Sequence, residues 1–195
     1  MTHLVKTLTA LGLDSGLASQ LTAFIRLFEK WNASINLSAA RTSTEVEAHV
    51  VDSLHAVPHL ADARRAIDVG SGGGLPVVVA AICLPSTTFT ALEPVHKKHA
   101  FLRTAARELG IANLEAFALR VEDLPKHDFD AASSRATFDL REWLELGLTL
   151  VRPAGKVIGF EAVQRDDLPA PFERHPYGID GKARSIIVAR RPAMD

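Results

Sequence analysis

The sequence predicts an α/β fold: a mostly parallel sheet with helices on both faces, preceded by an N-terminal helical element. Three observations carry that prediction. The stretch Ala66-Ile67-Asp68-Val69-Gly70-Ser71-Gly72-Gly73-Gly74-Leu75-Pro76 reads as a buried strand, a glycine turn and a helix start. From Ala66 onward, strand-like and helix-like patterns alternate, as expected when a parallel sheet is covered on both sides. Before that point the apolar residues recur only at helical spacing.

Residues 1–60 read as helical. Leu17, Leu21, Phe24, Phe28 and Trp31 recur at three- and four-residue steps, after Asp14 or Ser15 as N-cap. Trp31 to Arg41 is polar and reads as a loop. A second helix is expected from about Thr44 to Leu60 on the stripe Val46, Val50, Leu54 and Val57, with Pro58 ending it early. Strands are then expected at 66–69, 88–92, 114–118, 129–133, 156–160 and 185–189, and helices at 76–83, 96–109 and 139–150. Ala162 to Gly181 holds three prolines and reads as a loop, with a strand near Phe172 to Tyr177. The pattern divides the chain into a helical element, 1–62, and a core, 63–195, within one compact domain.

Composition bounds the function. The 195 residues are 47% hydrophobic and 23% charged, enough for one good core. The one cysteine, Cys83, cannot form an internal disulfide, which points to a reducing compartment. No apolar run approaches the ~18 residues that span a bilayer, and Met1 to Leu13 lacks a signal-peptide core, so a cytoplasmic protein with no membrane partner is expected. The net charge of −1 is too low for a general nucleic-acid binder. Two basic clusters stand out nonetheless: Lys97, Lys98, Arg103 and Arg107 in one helix, and Lys182, Arg184, Arg190 and Arg191 near the C-terminus. Each is either a contact surface or a solvated face.

The glycine turn points to a nucleotide-like ligand. Gly70, Gly72 and Gly74 remove every Cβ where the backbone turns hard, and Pro76 suits the first turn of the following helix. A dinucleotide fingerprint requires Gly or Ala at the sixth position from Gly70, where Leu75 stands. The form present, D-x-G-x-G-x-G from Asp68, resembles motif I of S-adenosylmethionine (SAM)-dependent methyltransferases. Thr88 to Leu92 reads as the second strand, and Glu93 follows it, positioned for both ribose hydroxyls.

The chemistry that is missing is also informative. Methyl transfer from a sulfonium mainly needs alignment, with a base only where the acceptor must lose a proton. Cys83 lies amid Val77 to Ile82 and reads as core, which argues against a thiol nucleophile. Strand 4 ends Ala132-Ser133-Ser134-Arg135-Ala136, without the Asn/Asp-Pro-Pro-aromatic turn used on exocyclic amines. A ring nitrogen with a free lone pair needs neither device. Arg135 leaves strand 4 at the end where ligands bind. It can meet a carboxylate, a phosphate or a purine edge, or simply pair with an acid such as Asp139. Val121 and Glu122 after strand 3 can frame an adenine, or Glu122 can be a surface acid. No histidine lies in a metal-binding pattern, and no metal is expected.

Six motifs in order resemble the RsmG family, also called glucose-inhibited division protein B. They are Trp31-Asn32-x-x-x-Asn36-Leu37-Ser38, His49-x-x-Asp52-Ser53-Leu54, the glycine loop through Leu75-Pro76, Lys97-Lys98-x-x-Phe101-Leu102, Arg120-Val121-Glu122 and Ser134-Arg135-Ala136. The resemblance runs from about Leu21 to Ala189. It implies a class I SAM-dependent methyltransferase, Rossmann-like with seven strands, acting on guanine N7 of 16S ribosomal RNA (rRNA) or the small ribosomal subunit; a monomer is expected. It further implies that Asp68, Gly70, Gly72, Gly74 and Leu75 form the SAM loop, that Glu93 meets the ribose and Val121-Glu122 the adenine. Arg135 would stand beside methyl donor and target base, Lys97 and Lys98 against RNA phosphate, and His49, Asp52 and Ser53 between the accessory helices and the cofactor side. Departures from the family pattern fall on the substrate side: Ala48 where Arg is usual, Phe160-Glu161-Ala162 where a Lys-Gly is usual, Ser185 after Arg184, and Val77 for Gly. Glu161 is expected to reverse a charge near the RNA. The alternatives are another acceptor, RNA or small molecule, and a SAM- or RNA-binding module without catalysis.

Overall fold

A computed structural model describes residues 3–125, 128–169 and 171–193. Seven strands form one sheet in the order β3-β2-β1-β4-β5-β7-β6: β1 (Arg65–Val69), β2 (Thr88–Leu92), β3 (Leu114–Phe117), β4 (Phe129–Ser134), β5 (Val151–Glu161), β6 (Phe172–Ile179) and β7 (Lys182–Arg190). The first five pair in parallel, while β7 runs antiparallel to β5 and to β6. The helices are α1 (His3–Ala10), α2 (Ala18–Ile35), α3 (Ser43–Leu54), α4 (Val57–Leu60), α5 (Val77–Cys83), α6 (His96–Glu108) and α7 (Leu140–Leu150).

Side chains alternate across the sheet as strand geometry requires. Ala66, Phe89, Ala91, Ala131, Ile158 and Ile186 face a core shared with α1 to α6. Ile67, Val69, Leu92, Ala132, Val157 and Ile187 face a second core beneath α7. The N-terminal helices belong to the first core. Phe24 and Phe28 of α2 pack edge-on at 6.0 Å, and Phe28 meets Phe101 of α6 at 5.9 Å. Burying three such rings stabilises this face by several kcal/mol (~2 kcal/mol each) and locks α2 over the glycine loop.

Several boundaries differ from the expectation, each for a physical reason. Asp14 caps a single 3₁₀ turn, Ser15–Leu17, and α2 starts only at Ala18. At its other end α2 runs on to Ile35 and stops at Asn36 with φ 52°, so the loop is shorter than 31–41. Asn32, polar in sequence, is buried and holds that loop: its amide donates to Ala40 O at 2.7 Å and its carbonyl accepts from Ser38 N at 2.8 Å. The helix expected over 44–60 is two helices. Proline 58 cannot donate to Leu54, so α3 ends at Leu54 and α4 restarts with the proline in its first turn. β5 begins at Val151, directly after α7, five residues before the sequence pattern shows it. A register shift between Phe129 and Ala131 of its partner and positive φ at Ala154 mask the alternation there. The strand near Phe172 is real and is β6, at one edge of the sheet.

Candidate functional site

The glycine loop joins β1 to α5 at the carboxyl end of the sheet, between β2 and β4. Gly70, Gly72 and Gly74 have φ of 70°, 51° and 79°, values that favour glycine. Gly70 and Ser71 donate their N–H groups to Leu92 O at 2.9 and 3.0 Å, seating the loop on the end of β2. Thr137 Oγ1 donates to Gly70 O at 3.1 Å from the β4 side. A Cβ at Gly73 or Gly74 would strike the Phe28 ring or Val78, so those glycines serve packing. A Cβ at Gly72 would meet nothing closer than Gly70 O at 3.7 Å, so Gly72 alone presents an open face.

Glu93 lies under this loop and is only 4% exposed. Its Oε2 accepts from Gly72 N at 2.8 Å and its Oε1 from Val95 N at 2.8 Å. The carboxylate therefore braces the loop, and each oxygen keeps a lone pair for a further donor. Asp68 is buried beneath the turn. Ser133 Oγ donates to its Oδ1 at 2.6 Å. Burial pushes the Asp68 carboxyl up to about 6, against the Ser133 hydrogen bond that favours the ionised form. Asp68 is thus a support of the loop and not a lining residue.

Beside the loop is a cavity of about 160 Å³. Val69, Leu92, Leu119, Val121 and Phe138 wall it, Gly70 opens into it, and Glu122 and Thr137 stand around it. Apolar walls with a few polar groups suit a flat heteroaromatic ring. A glycine turn with one open face, a carboxylate locked at 2.8 Å to that turn, and this cavity fit SAM. Leu75, 7% exposed, packs in the core below.

Arg135 leaves β4 on the opposite side of the loop. Its partner is Asp52 of α3, not Asp139: Nη1 lies 3.0 Å from Asp52 Oδ2 and 3.5 Å from His49 Nδ1. Asp139 instead caps α7 and pairs with Arg165. Asp52 is 3% exposed and also accepts from Tyr177 Oη at 2.9 Å, with Arg184 Nη1 at 3.5 Å. One carboxylate thus ties α3 to the end of β4 and to the β6–β7 hairpin. Tyr177 stacks on His55 at 4.0 Å. Burial first, and then Arg135, holds His49 below its ordinary pKa, so a neutral imidazole faces the guanidinium. A second cavity, about 310 Å³, opens next to this cluster, lined in part by Ala48, His49, Asp52, Lys182 and Arg184.

Lys97 and Lys98 stand in the first turn of α6, exposed and half-buried respectively. His99 follows in the same helix. It is half-buried, with Nε2 3.1 Å from Ala116 O, tying α6 to β3. Glu161 does not present negative charge to a ligand. It is 3% exposed and held by Arg174 through contacts of 2.8 and 3.0 Å. Cys83 is half-buried, and burial pushes its thiol up to about 12, which rules it out as a ready nucleophile. Among the described residues, no group of three or more His, Cys, Asp or Glu could hold a metal ion, and no helix is long and apolar enough to cross a membrane. Sequence reasoning missed the roles of Ser133, Thr137, Phe138 and Tyr177, and read Arg184 only as one of a basic cluster. The polar Ser133-Ser134 pair ending an apolar strand, and the chain's lone tyrosine, were the available signals.

The sheet order, the glycine turn and the carboxylate closing β2 define a class I SAM-dependent methyltransferase. Solved structures share this fold: an O-methyltransferase from Bacillus cereus in complex with SAH (TM-score 0.61, 17% identity, 87% of this chain and 90% of that one), and one from Streptomyces achromogenes in complex with SAM (0.61, 17%, with the same coverage). A family model, rRNA small subunit methyltransferase G (GidB), matches residues 17–169. Curated relatives named ribosomal RNA small subunit methyltransferase G include one from Azoarcus sp., 38% identical over 96% of this chain and 95% of that one. Another, from Burkholderia pseudomallei, is 43% identical over 91% and 78%. The chain belongs to the GidB family.

Proposed function

We propose that the protein transfers a methyl group from SAM to N7 of a guanine in 16S rRNA, in the cytoplasm. The observation that carries this reading is the family match across residues 17–169, laid over a site that offers positioning groups and no nucleophile. SAM supplies a methyl group already activated on a sulfonium, so the protein's task is alignment. Guanine N7 carries its own lone pair and loses no proton before attack.

In this reading Glu93 receives the ribose hydroxyls with its free lone pairs, while its two backbone bonds keep the carboxylate fixed. Gly70 and Gly72 let the backbone approach the ligand, and Val121 and Glu122 flank the adenine. Arg135 is held by Asp52 at the end of β4. From there a guanidinium reaches an acceptor edge such as a purine O6, or the carboxylate of the donor's methionine. Lys97 and Lys98 contact RNA phosphate.

The test is transfer of labelled methyl from SAM to small-subunit particles lacking this modification, with the product base identified by mass spectrometry. The expected product is 7-methylguanine in the 16S rRNA. SAM binding without transfer to rRNA would overturn the assignment of the acceptor.

A further inference from the structure

A groove runs along the outer edge of β3, away from the site described above. Its cavity is about 630 Å³, and Arg103, Arg107, Ile111, Leu114, Glu115 and Phe117 are among its lining residues. β3 is a terminal strand of the sheet, so among the described residues this edge pairs with no other strand. We propose that this groove binds a single-stranded segment of the RNA substrate, with Phe117 stacking on a base and Arg103 and Arg107 on phosphates. The choice of RNA as occupant rests on the function proposed above.

Three observations point the same way. Phe117 is 41% exposed, and no other aromatic is among the exposed large apolar residues described. An exposed ring beside cations is how proteins hold single-stranded nucleic acid without reading its sequence. Second, the cations are available. Arg103 makes no ion pair among the described residues, and Arg107 has only a loose contact to Glu108, at 3.7 Å between largely exposed groups. By contrast, Arg135, Arg152, Arg165 and Arg174 each pair with a carboxylate at 3.0 Å or less. Third, Arg103 and Arg107 stand four residues apart and so share one face of α6, the face that lines the groove. Lys97, Arg103 and Arg107 are all exposed on α6, whose N-terminus is at the cofactor end of the sheet. From Arg103 to Arg107 the helix rises about 6 Å, the length of roughly two stacked nucleotides. Glu115 is the acidic member of the lining, and base amino groups offer it donors. His99 fixes the groove wall by bridging α6 to Ala116.

The experiment compares wild type, Arg103→Ala/Arg107→Ala, Phe117→Ala and Phe117→Trp in the full chain. It measures binding of an unmodified 16S rRNA fragment across a salt series, SAM affinity, and kcat and KM on naked rRNA and on particles. The arginine pair variant should flatten the salt slope by about 1.4. Phe117→Ala should weaken RNA binding about 5- to 100-fold, with Phe117→Trp restoring it. KM should rise, with kcat and SAM affinity unchanged. Wild-type affinity and salt slope in the variants would overturn the groove while leaving the methylation reading intact. Variant-sensitive RNA binding by an enzyme that methylates no rRNA would do the reverse. A KM effect confined to assembled particles, with binding to naked RNA unchanged, would overturn RNA in favour of a protein strand added to the β3 edge.

Discussion

Arg135, directly after β4, and Asp52 of α3 form a partly buried ion pair, Nη1 to Oδ2 at 3.0 Å, that joins the N-terminal helices to the carboxyl end of the sheet. Their side chains are 16% and 4% exposed. Asp52→Asn keeps an acceptor for Tyr177 but leaves the Arg135 and Arg184 charges without their shared carboxylate. Breaking a fully buried pair from one side costs about 3 kcal/mol or more, and with both arginines partly solvated the loss here should be about 1–3 kcal/mol. A chemical denaturation series should show a lower midpoint with an unchanged m-value. Because Arg135 also loses its orientation, kcat should fall about 10- to 100-fold with SAM affinity nearly kept. An unchanged kcat would make the pair purely structural.

The loop glycines should separate into two kinds. Gly73→Ala puts a methyl into the Phe28 ring, so it should destabilise the protein by about 1–3 kcal/mol, the cost of overpacking. Gly72→Asp meets open space, and aspartate tolerates positive φ better than most residues. That variant should still fold, with a thermal midpoint lowered by the roughly 1–2 kcal/mol cost of a left-handed residue, and lose SAM binding, since its carboxylate fills the open face beside Glu93. Retained SAM affinity in Gly72→Asp would disprove the cofactor assignment.

Two buried groups give opposite pH slopes. Burial raises Asp68 to about 6 from an ordinary 3.8, so the folded chain holds a proton that the unfolded chain releases. Its contribution to stability therefore falls as pH rises from 4 to beyond 6, by about 3 kcal/mol in total. Burial, then His175 and Lys156, lowers His59 to about 4 from 6.5, with Glu173 opposing and His55 adding to the shift. There the unfolded chain binds the extra proton, so stability is lost as pH falls from 6.5 toward 4. Relative to wild type, Asp68→Asn should gain stability as pH rises through this window, and His59→Gln should gain as pH falls. Urea midpoints at half-unit pH steps would show it; parallel profiles would contradict both assignments.

How much of this was legible in the sequence follows from range. The glycine loop, Glu93 and the alternation of strands and helices are local patterns, and the turn chemistry and strand periodicity that set them act over a few residues. Arg135 and Asp52 are 83 residues apart, so only the fold could choose Asp52 over the nearby Asp139. Glu161 looked like a reversed charge facing RNA because its neutralising partner, Arg174, lies across a loop. β5 was read five residues short because the irregular stretch Pro153 to Gly155 hides its pleat. What sequence missed was pairing at a distance, and the stability of the site depends on such pairs.

Lys97 and Lys98 oppose the dipole of α6, whose first turn holds no acid. Cations at a helix N-terminus are unfavourable by about 0.3–1 kcal/mol each. Lys97→Ala/Lys98→Ala should therefore leave the thermal midpoint unchanged or slightly raised. If the pair meets phosphate, the same variant should weaken rRNA binding and flatten its salt dependence by about 1.4, with SAM affinity intact. Opposite movements of stability and RNA affinity would separate a binding role from a structural one. An unchanged salt slope would return both lysines to the ordinary solvated surface.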